Sequence, residues 1–257
     1  IKFSATEKLP GMKENATNQS ALETRIVSQR SQSTDLNQWI FEQLNLSNNE
    51  KVLELCCGTG AQTKYFSRHL IHGTLTSVDV NPESIATARS SITVPNSTFI
   101  VSEIDSPEKY LTGEYDLIFS AYGFYYSSNP ERLHNTLAKN LETNGRFVIV
   151  GPILGNNKQL YEIVKSIGLD IPESVLDSSE TFMVRFLEIF LERYSDVRLI
   201  RFINHIDYQN HSQLMNYWKN TTFYKPGFDK DFLDASKHYF GSEIRIDKSI
   251  AYLEGRV

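Results

Sequence analysis

The run Lys51–Leu55 stops at Cys56-Cys57-Gly58-Thr59-Gly60, and this junction constrains the fold more than any other stretch of the chain. Val52, Leu53 and Leu55 make a short apolar run of the kind that forms a buried strand, and two closely spaced glycines end it. Residues 61–70 are helix-compatible, and 74–80 ("TLTSVDV") are again rich in β-branched residues. Asn81-Pro82 supplies a cap followed by proline at the first helical position, which opens a helix over 83–90. The pattern then repeats. Strands are expected over 97–104 and 114–122, and Asn129-Pro130 starts a helix to about Leu141. Asn144-Gly145 closes that helix and turns into a fifth strand over 146–152. Alternation of this length predicts parallel strands joined by right-handed helical crossovers.

The flanks read differently. Residues 12–46 carry Leu22, Ile26, Leu36, Trp39, Ile40 and Leu44 at helical spacings, with a break and recap at Ser33-Thr34-Asp35. An apolar helical pair (156–168 and 178–195) follows the fifth strand. Next come a β run over 197–208, a helix containing 213–224 and a final β run over 243–255. The expected architecture is α/β: a doubly wound, mostly parallel seven-stranded sheet with an N-terminal helical cap and a helical insertion after strand five. The expected division is a cap over 1–47, a ligand-binding core over 48–152 and an insertion or lid over 153–196. Residues 197–257 supply the remaining strands and helix of the same domain.

The glycine-bearing junction admits several readings. Zinc sites want cysteines two to four residues apart with further ligands, which adjacent cysteines do not provide. A disulfide between neighbours strains the chain, and redox chemistry uses C-x-x-C. No metal is therefore expected. A glycine turn between strand and helix lets backbone approach a ligand closely. Asp79 lies nineteen residues beyond Gly60, where a ribose-binding carboxylate belongs. Position 63 is Thr rather than the third glycine of a dinucleotide fingerprint, and no Gly-Lys-Ser/Thr follows. Glu54, inside the strand, would repel a pyrophosphate but suits a ligand bearing an amino group or a cation.

On these residues the chain resembles the class I (seven-stranded, Rossmann-like) S-adenosylmethionine-dependent methyltransferases, chiefly over 48–152. The resemblance implies S-adenosylmethionine as cofactor. "VLELCCGTG" is similar to the first motif: Glu54, Gly58 and Gly60 match, and Cys56 stands where the family has a glycine. In "SVDVNPESIATAR" it implies Asp79 on the ribose hydroxyls and Val80 on adenine. In "FIVSEID" it implies Glu103 at the adenine amino group, with Asp105 as the alternative, and Ile104 beside it. "YDLIFSAYGFYY" implies Ser120 near the methionine moiety, and Tyr122, Phe124 and Tyr125 facing the reaction centre.

The implied activity is methyl transfer to a small-molecule O or N acceptor. RNA- or protein-directed transfer and a non-catalytic binding module are the rivals. A net charge of −5 without a polybasic run argues against nucleic acid. The signature motif of amide-nitrogen methylation, Asn-Pro-Pro-aromatic, does not follow strand four. Phe182, Met183, Phe186, Leu187, Ile189 and Phe190 form a wide apolar stripe, read as a lid, a sheet-packed helix or a homodimer contact. Tyr217 and Trp218 are candidates for the pocket rim. His205 and Tyr125 are the candidates for catalysis, although the alternation that puts His205 on the Leu199/Ile203 face favours a structural histidine. The other five histidines read as surface or helix-end residues. No stretch reaches the roughly 18 apolar residues of a membrane span. With no signal sequence and no disulfide framework, a cytoplasmic setting is expected.

Overall fold

A computed structural model describes residues 32–92 and 96–257; the helical pattern around Leu22 and Ile26 lies outside them. In chain order the first elements are helix α1 (Leu36–Leu44), β1 (Lys51–Leu55), α2 (Thr63–His69), β2 (Thr74–Asp79), α3 (Pro82–Ser90), β3 (Ser97–Val101) and β4 (Tyr115–Ala121). Next are α4 (Pro130–Leu137), β5 (Leu141–Pro152), α5 (Lys158–Ser166), the single turn α6 (Glu173–Leu176) and α7 (Phe182–Arg193). The chain ends with β6 (Asp196–Tyr208), α8 (His211–Lys219), α9 (Asp229–Tyr239) and β7 (Ile244–Arg256). The strands form one sheet in the order β3-β2-β1-β4-β5-β7-β6. The β1/β2, β2/β3, β1/β4 and β4/β5 pairs are parallel. β7 runs antiparallel to both β5 and β6. Strand order reverses between β1 and β4, so the carboxyl ends of those strands flank the crevice where ligands of such sheets bind.

Local chemistry explains the boundaries. The Asn81 side chain accepts from the amides of Glu83 and Ser84 and starts α3, and Asn129 does the same for α4 through the Arg132 amide. Asp35 caps α1 through the Asn37 and Gln38 amides. Val52, Leu53 and Leu55 are buried on both faces of the sheet, as a central parallel strand requires.

The structure corrects four expectations. Asn144-Gly145 does not precede the fifth strand but lies inside it. Pairing slips from Tyr115↔Leu141 to Leu117↔Arg146 there, and Asn144 takes a left-handed φ of 66°. β3 ends at Val101, three residues early, so Glu103 and Ile104 lie on the loop beyond it. The helix at 213–224 stops at Lys219. α9 was not anticipated. It buries only Phe232 and Ser236, too few residues for a readable stripe, although Asp229 and Asp231 in its first turn and Lys237 and His238 in its last mark its ends.

α7 buries Phe182, Met183, Phe186 and Phe190 in one cluster with Phe147 and Ile149 of β5 and Ala251 and Leu253 of β7. Its stripe is therefore mainly a sheet-packing face. Only its first turn reaches the carboxyl edge, where a Cβ on Gly151 would meet the Met183 sulfur and the Tyr125 ring at ordinary contact distance. No helix among the described residues is long and apolar enough to cross a membrane.

Candidate functional site

The carboxyl ends of β1, β2 and β4 bring the motif residues together. Glu54 is fully buried, and its Oε2 accepts from Ser77 Oγ of β2 (2.7 Å) and Thr63 Oγ1 of α2 (2.8 Å). Its Oε1 is buried with no hydrogen-bond partner. Burial pushes the carboxyl up to about 7 against the two hydroxyl bonds, helped by the nearby charge of Asp79.

Asp79 closes the loop. Its Oδ2 accepts the Gly58 amide (2.8 Å) and its Oδ1 the Asn81 amide (2.9 Å). Each carboxylate oxygen has a second lone pair, so both can also accept ribose hydroxyls. Burial raises its pKa even against these backbone bonds. Val80 is half-buried beside it.

Gly58 and Gly60 have φ of 54° and 87°, and Cys56 is also left-handed at 57°. A residue with a side chain thus stands in a conformation that favours glycine. Space for that side chain comes from Gly123 after β4, where a Cβ would come within 2.2 Å of Cys56 Cβ and 2.7 Å of its sulfur. Cys56 is half-buried, Cys57 is buried, and neither forms a disulfide. Burial, then the charges of Asp79 and Asp105, push the Cys56 thiol up, so it stays protonated.

The other candidates separate into those at the edge and those in the core. Ser120 is fully buried and donates to the Leu55 carbonyl (3.3 Å), tying β4 to β1. Glu103 is exposed, and Ile104 packs partly into the core below it. Asp105 is taken up by Ser127 (2.5 Å) and by the amide and hydroxyl of Ser128 (2.7 Å each). Burial raises its pKa, but these bonds together outweigh that and leave it below the ordinary value. It clamps the loop after β4, which leaves Glu103 as the freer acid.

Tyr125 sits at the edge, with ring centroids 4.8 Å from Tyr126 and 5.8 Å from Phe182. Tyr122 is half-buried in a left-handed conformation, its amide donating to Val150 of β5 (2.8 Å). Phe124, expected at the reaction centre, is instead core: it is fully buried against Phe147 and Phe186. Trp218 is core as well, fully buried and stacked on Phe232 at 4.3 Å. Tyr217 is buried, with its hydroxyl bonded to Lys248 Nζ (2.5 Å).

His205 of β6, an edge strand of the sheet, bonds Asp247 of β7 (2.8 Å). Four strand spacings, roughly 19 Å, separate it from β1, so it does not reach the motif loop. His134, read from sequence as a surface or helix-end residue, is fully buried among Phe147, Phe186 and Phe190 and bonds Tyr194 (2.9 Å). Burial, then the Arg193 charge, holds its pKa down at about 3, so it is a neutral core residue.

A seven-stranded sheet in this order, an acid before a glycine turn on β1 and a second acid ending β2 define the class I, Rossmann-like fold of S-adenosylmethionine-dependent methyltransferases. Residues 52–145 match a family model described as a methyltransferase domain. The fold aligns with the YcgJ protein of Bacillus subtilis at TM-score 0.60 and 16% identity, covering 86% of this chain and 97% of that one. It aligns with the plantazolicin methyltransferase BpumL, solved with S-adenosylhomocysteine, at TM-score 0.52 and 16% identity, covering 94% and 88%. In sequence, 125 residues are 31% identical to malonyl-[acyl-carrier protein] O-methyltransferase 1 of Ilyobacter polytropus, covering 48% of this chain and 44% of that protein. The chain thus spans about half the length of the curated relatives it matches.

The residues present fit S-adenosylmethionine. The unpartnered Glu54 oxygen suits an ammonium donor, the Asp79 carboxylate has capacity for two hydroxyls, and the left-handed loop presents backbone between them.

Proposed function

We propose that this protein transfers a methyl group from S-adenosylmethionine to an O or N atom of a small molecule. The observation that carries the reading is the buried Glu54 oxygen without a partner, beside a left-handed glycine loop and opposite Asp79. When bound, S-adenosylmethionine supplies a methyl group on a sulfonium centre. Glu54 and Asp79 would orient the two polar ends of the cofactor from β1 and β2. Tyr125, Tyr126, Phe182 and Met183 crowd the edge of β5 and would exclude water and present aromatic faces to a cation.

The first turn of α7 roofing that edge supports a small acceptor over a macromolecule, and the net charge of −5 argues the same way. The name of the Ilyobacter relative specifies O-methylation, which supports an oxygen acceptor here. Residues 1–47 are proposed as a cap, 48–152 as the cofactor core and 153–196 as a partial lid. Residues 197–257 are proposed to complete the same domain.

Calorimetry with S-adenosylmethionine, S-adenosylhomocysteine and NAD tests the reading. The first two are expected to bind and NAD not to; the reverse pattern would refute it. Asp79→Ala is expected to weaken S-adenosylhomocysteine at least about tenfold, as loss of charge-assisted hydrogen bonds implies. An unchanged dissociation constant would remove Asp79 from the site.

A further inference from the structure

A second buried charge lies along the same edge of the sheet. Lys248 of β7 is only 8% exposed, and its Nζ bonds Asn157 Oδ1 and the Tyr217 hydroxyl. The ammonium also stands 4.4 Å from the centroid of the Tyr217 ring. Both hydrogen-bond partners are neutral, and no carboxylate lies within ion-pair distance of it among the described residues. Asp247, its neighbour, is turned to His205 and Gln159 instead. A buried ammonium in that condition has two neutral acceptors and a ring face, but no anion, to offset its desolvation.

Polar groups surround the ammonium. Asn157 precedes α5, yet its side chain makes no capping bond to that helix and is held at φ 58°, bonded to Lys248. The positive end of a nine-residue helix therefore adjoins the ammonium. The Tyr208 hydroxyl is buried with no partner, and the residue is 6% exposed. The Tyr161 hydroxyl turns to Ser179 Oγ (3.2 Å), which sits in a π-helical turn over Asp177–Thr181. The Tyr217 ring lies 6.0 Å from the Tyr208 ring, and Lys248 stands two residues beyond the Pro152↔Ile250 pair, at the carboxyl end of β5. One lysine, a helix N-terminus and a set of hydroxyls thus lie at the carboxyl end of β5, with no carboxylate paired to the lysine among the described residues.

We propose that Lys248, with Asn157 and Tyr217, recognises a carboxylate, and that the acceptor is a small carboxylic acid. This inference rests on the methyl-transfer reading above and narrows it. An ionised carboxylate has no proton to lose on methylation, so such an acceptor needs no general base. One of its oxygens is held by the ammonium.

The test uses hexanoate and phenylacetate as probes, with hexanamide and phenylacetamide as neutral counterparts, on protein saturated with S-adenosylhomocysteine. Ligand-observed NMR titration is expected to show both acids binding at least about tenfold more tightly than their amides, the size of a charge-assisted hydrogen-bond contribution. Lys248→Met is expected to lose that preference while holding S-adenosylhomocysteine as the wild type does. Acids and amides binding alike, neither acid binding, or a Lys248→Met protein that still prefers acids would each overturn the proposal. The acid–amide comparison on wild-type protein decides the point even if the variant does not fold. Failure of S-adenosylhomocysteine to bind would strike the methyl-transfer reading and the acceptor assignment with it, while the same titration without it still decides whether Lys248 recognises a carboxylate.

Discussion

The two edges of the parallel sheet both bury charge, but they treat it in opposite ways. At the amino edge, Arg146, just past the register slip in β5, donates to Glu50 (3.0 Å) and to the Leu44 carbonyl, and lies 3.7 Å from Glu254. Glu254 also takes Arg198 (3.2 Å), Arg256 (2.8 Å) and the Tyr252 hydroxyl (2.5 Å). Burial raises the Glu254 pKa, but the tyrosine bond and three guanidinium charges outweigh it and hold it below the ordinary value. At the carboxyl edge, Glu54 keeps a bare oxygen and is raised to about 7, and Lys248 has no anion. The matched edge ties its charges to one another, and the mismatched edge carries both proposed ligand sites. The amino edge is not perfect: Glu50 Oε2 is buried without a partner, and burial raises that carboxyl despite Arg146.

The contrast can be broken most forcefully at Arg146. Arg146→Met strands the half-buried Glu50, leaves Glu254 with two of its three arginines, and is expected to cost about 3–5 kcal/mol in urea denaturation. A loss below about 1 kcal/mol would show that the arginine network is not structural.

Glu54→Gln should do the reverse. The folded carboxyl near 7 lies above its ordinary 4.5, so its contribution to stability is complete below that lower value and is lost as pH rises through 7. Removing the charge should therefore stabilise the ligand-free protein at pH 8 by up to about 3 kcal/mol while weakening S-adenosylhomocysteine. In the wild type, affinity for that ligand should rise as much as about tenfold per pH unit up to 7 and then level off. A flat profile would exclude Glu54 as the ammonium partner.

Gly123→Ala, which drives a methyl group into Cys56, should cost about 1–3 kcal/mol. Cys56→Gly alone should change stability by less than about 1 kcal/mol, since relief of the left-handed strain offsets the lost packing. The double variant should recover most of the Gly123→Ala loss. Additive effects would mean the two loops do not share that space.

The sheet was readable from sequence because its signals are local: β-branched runs, Asn-Pro caps and glycine turns each act within a few residues. The spacing of Glu54 and Asp79 from the glycines is local in the same way, since one strand-turn-helix unit sets it. Phe124 and Trp218 were misread because an aromatic beside a motif looks the same whether it faces a pocket or the core; only packing against Phe186 and Phe232 tells them apart. Lys248 gave no sequence signal. It sits in an alternating run, "RIDKSIAY", and its partners Asn157 and Tyr217 lie 91 and 31 residues away. The fit between Cys56 and Gly123 was also invisible, because it joins two loops that meet only when β1 and β4 pair.

β7 works as a ruler between the edges. Lys248 and Glu254 are six residues apart on it, roughly 20 Å for an extended strand, and an even spacing puts them on one face. They pair with Asn204 and Arg198 of β6, and Glu254 with Val148 of β5. A slip of one residue would turn both charges through the sheet at once. A single inserted residue between them would leave whichever end it displaced on the wrong side. The distance between the fixed anion and the waiting cation is thus written into the count of residues, and β7 should tolerate substitution along its length far better than any change in that count.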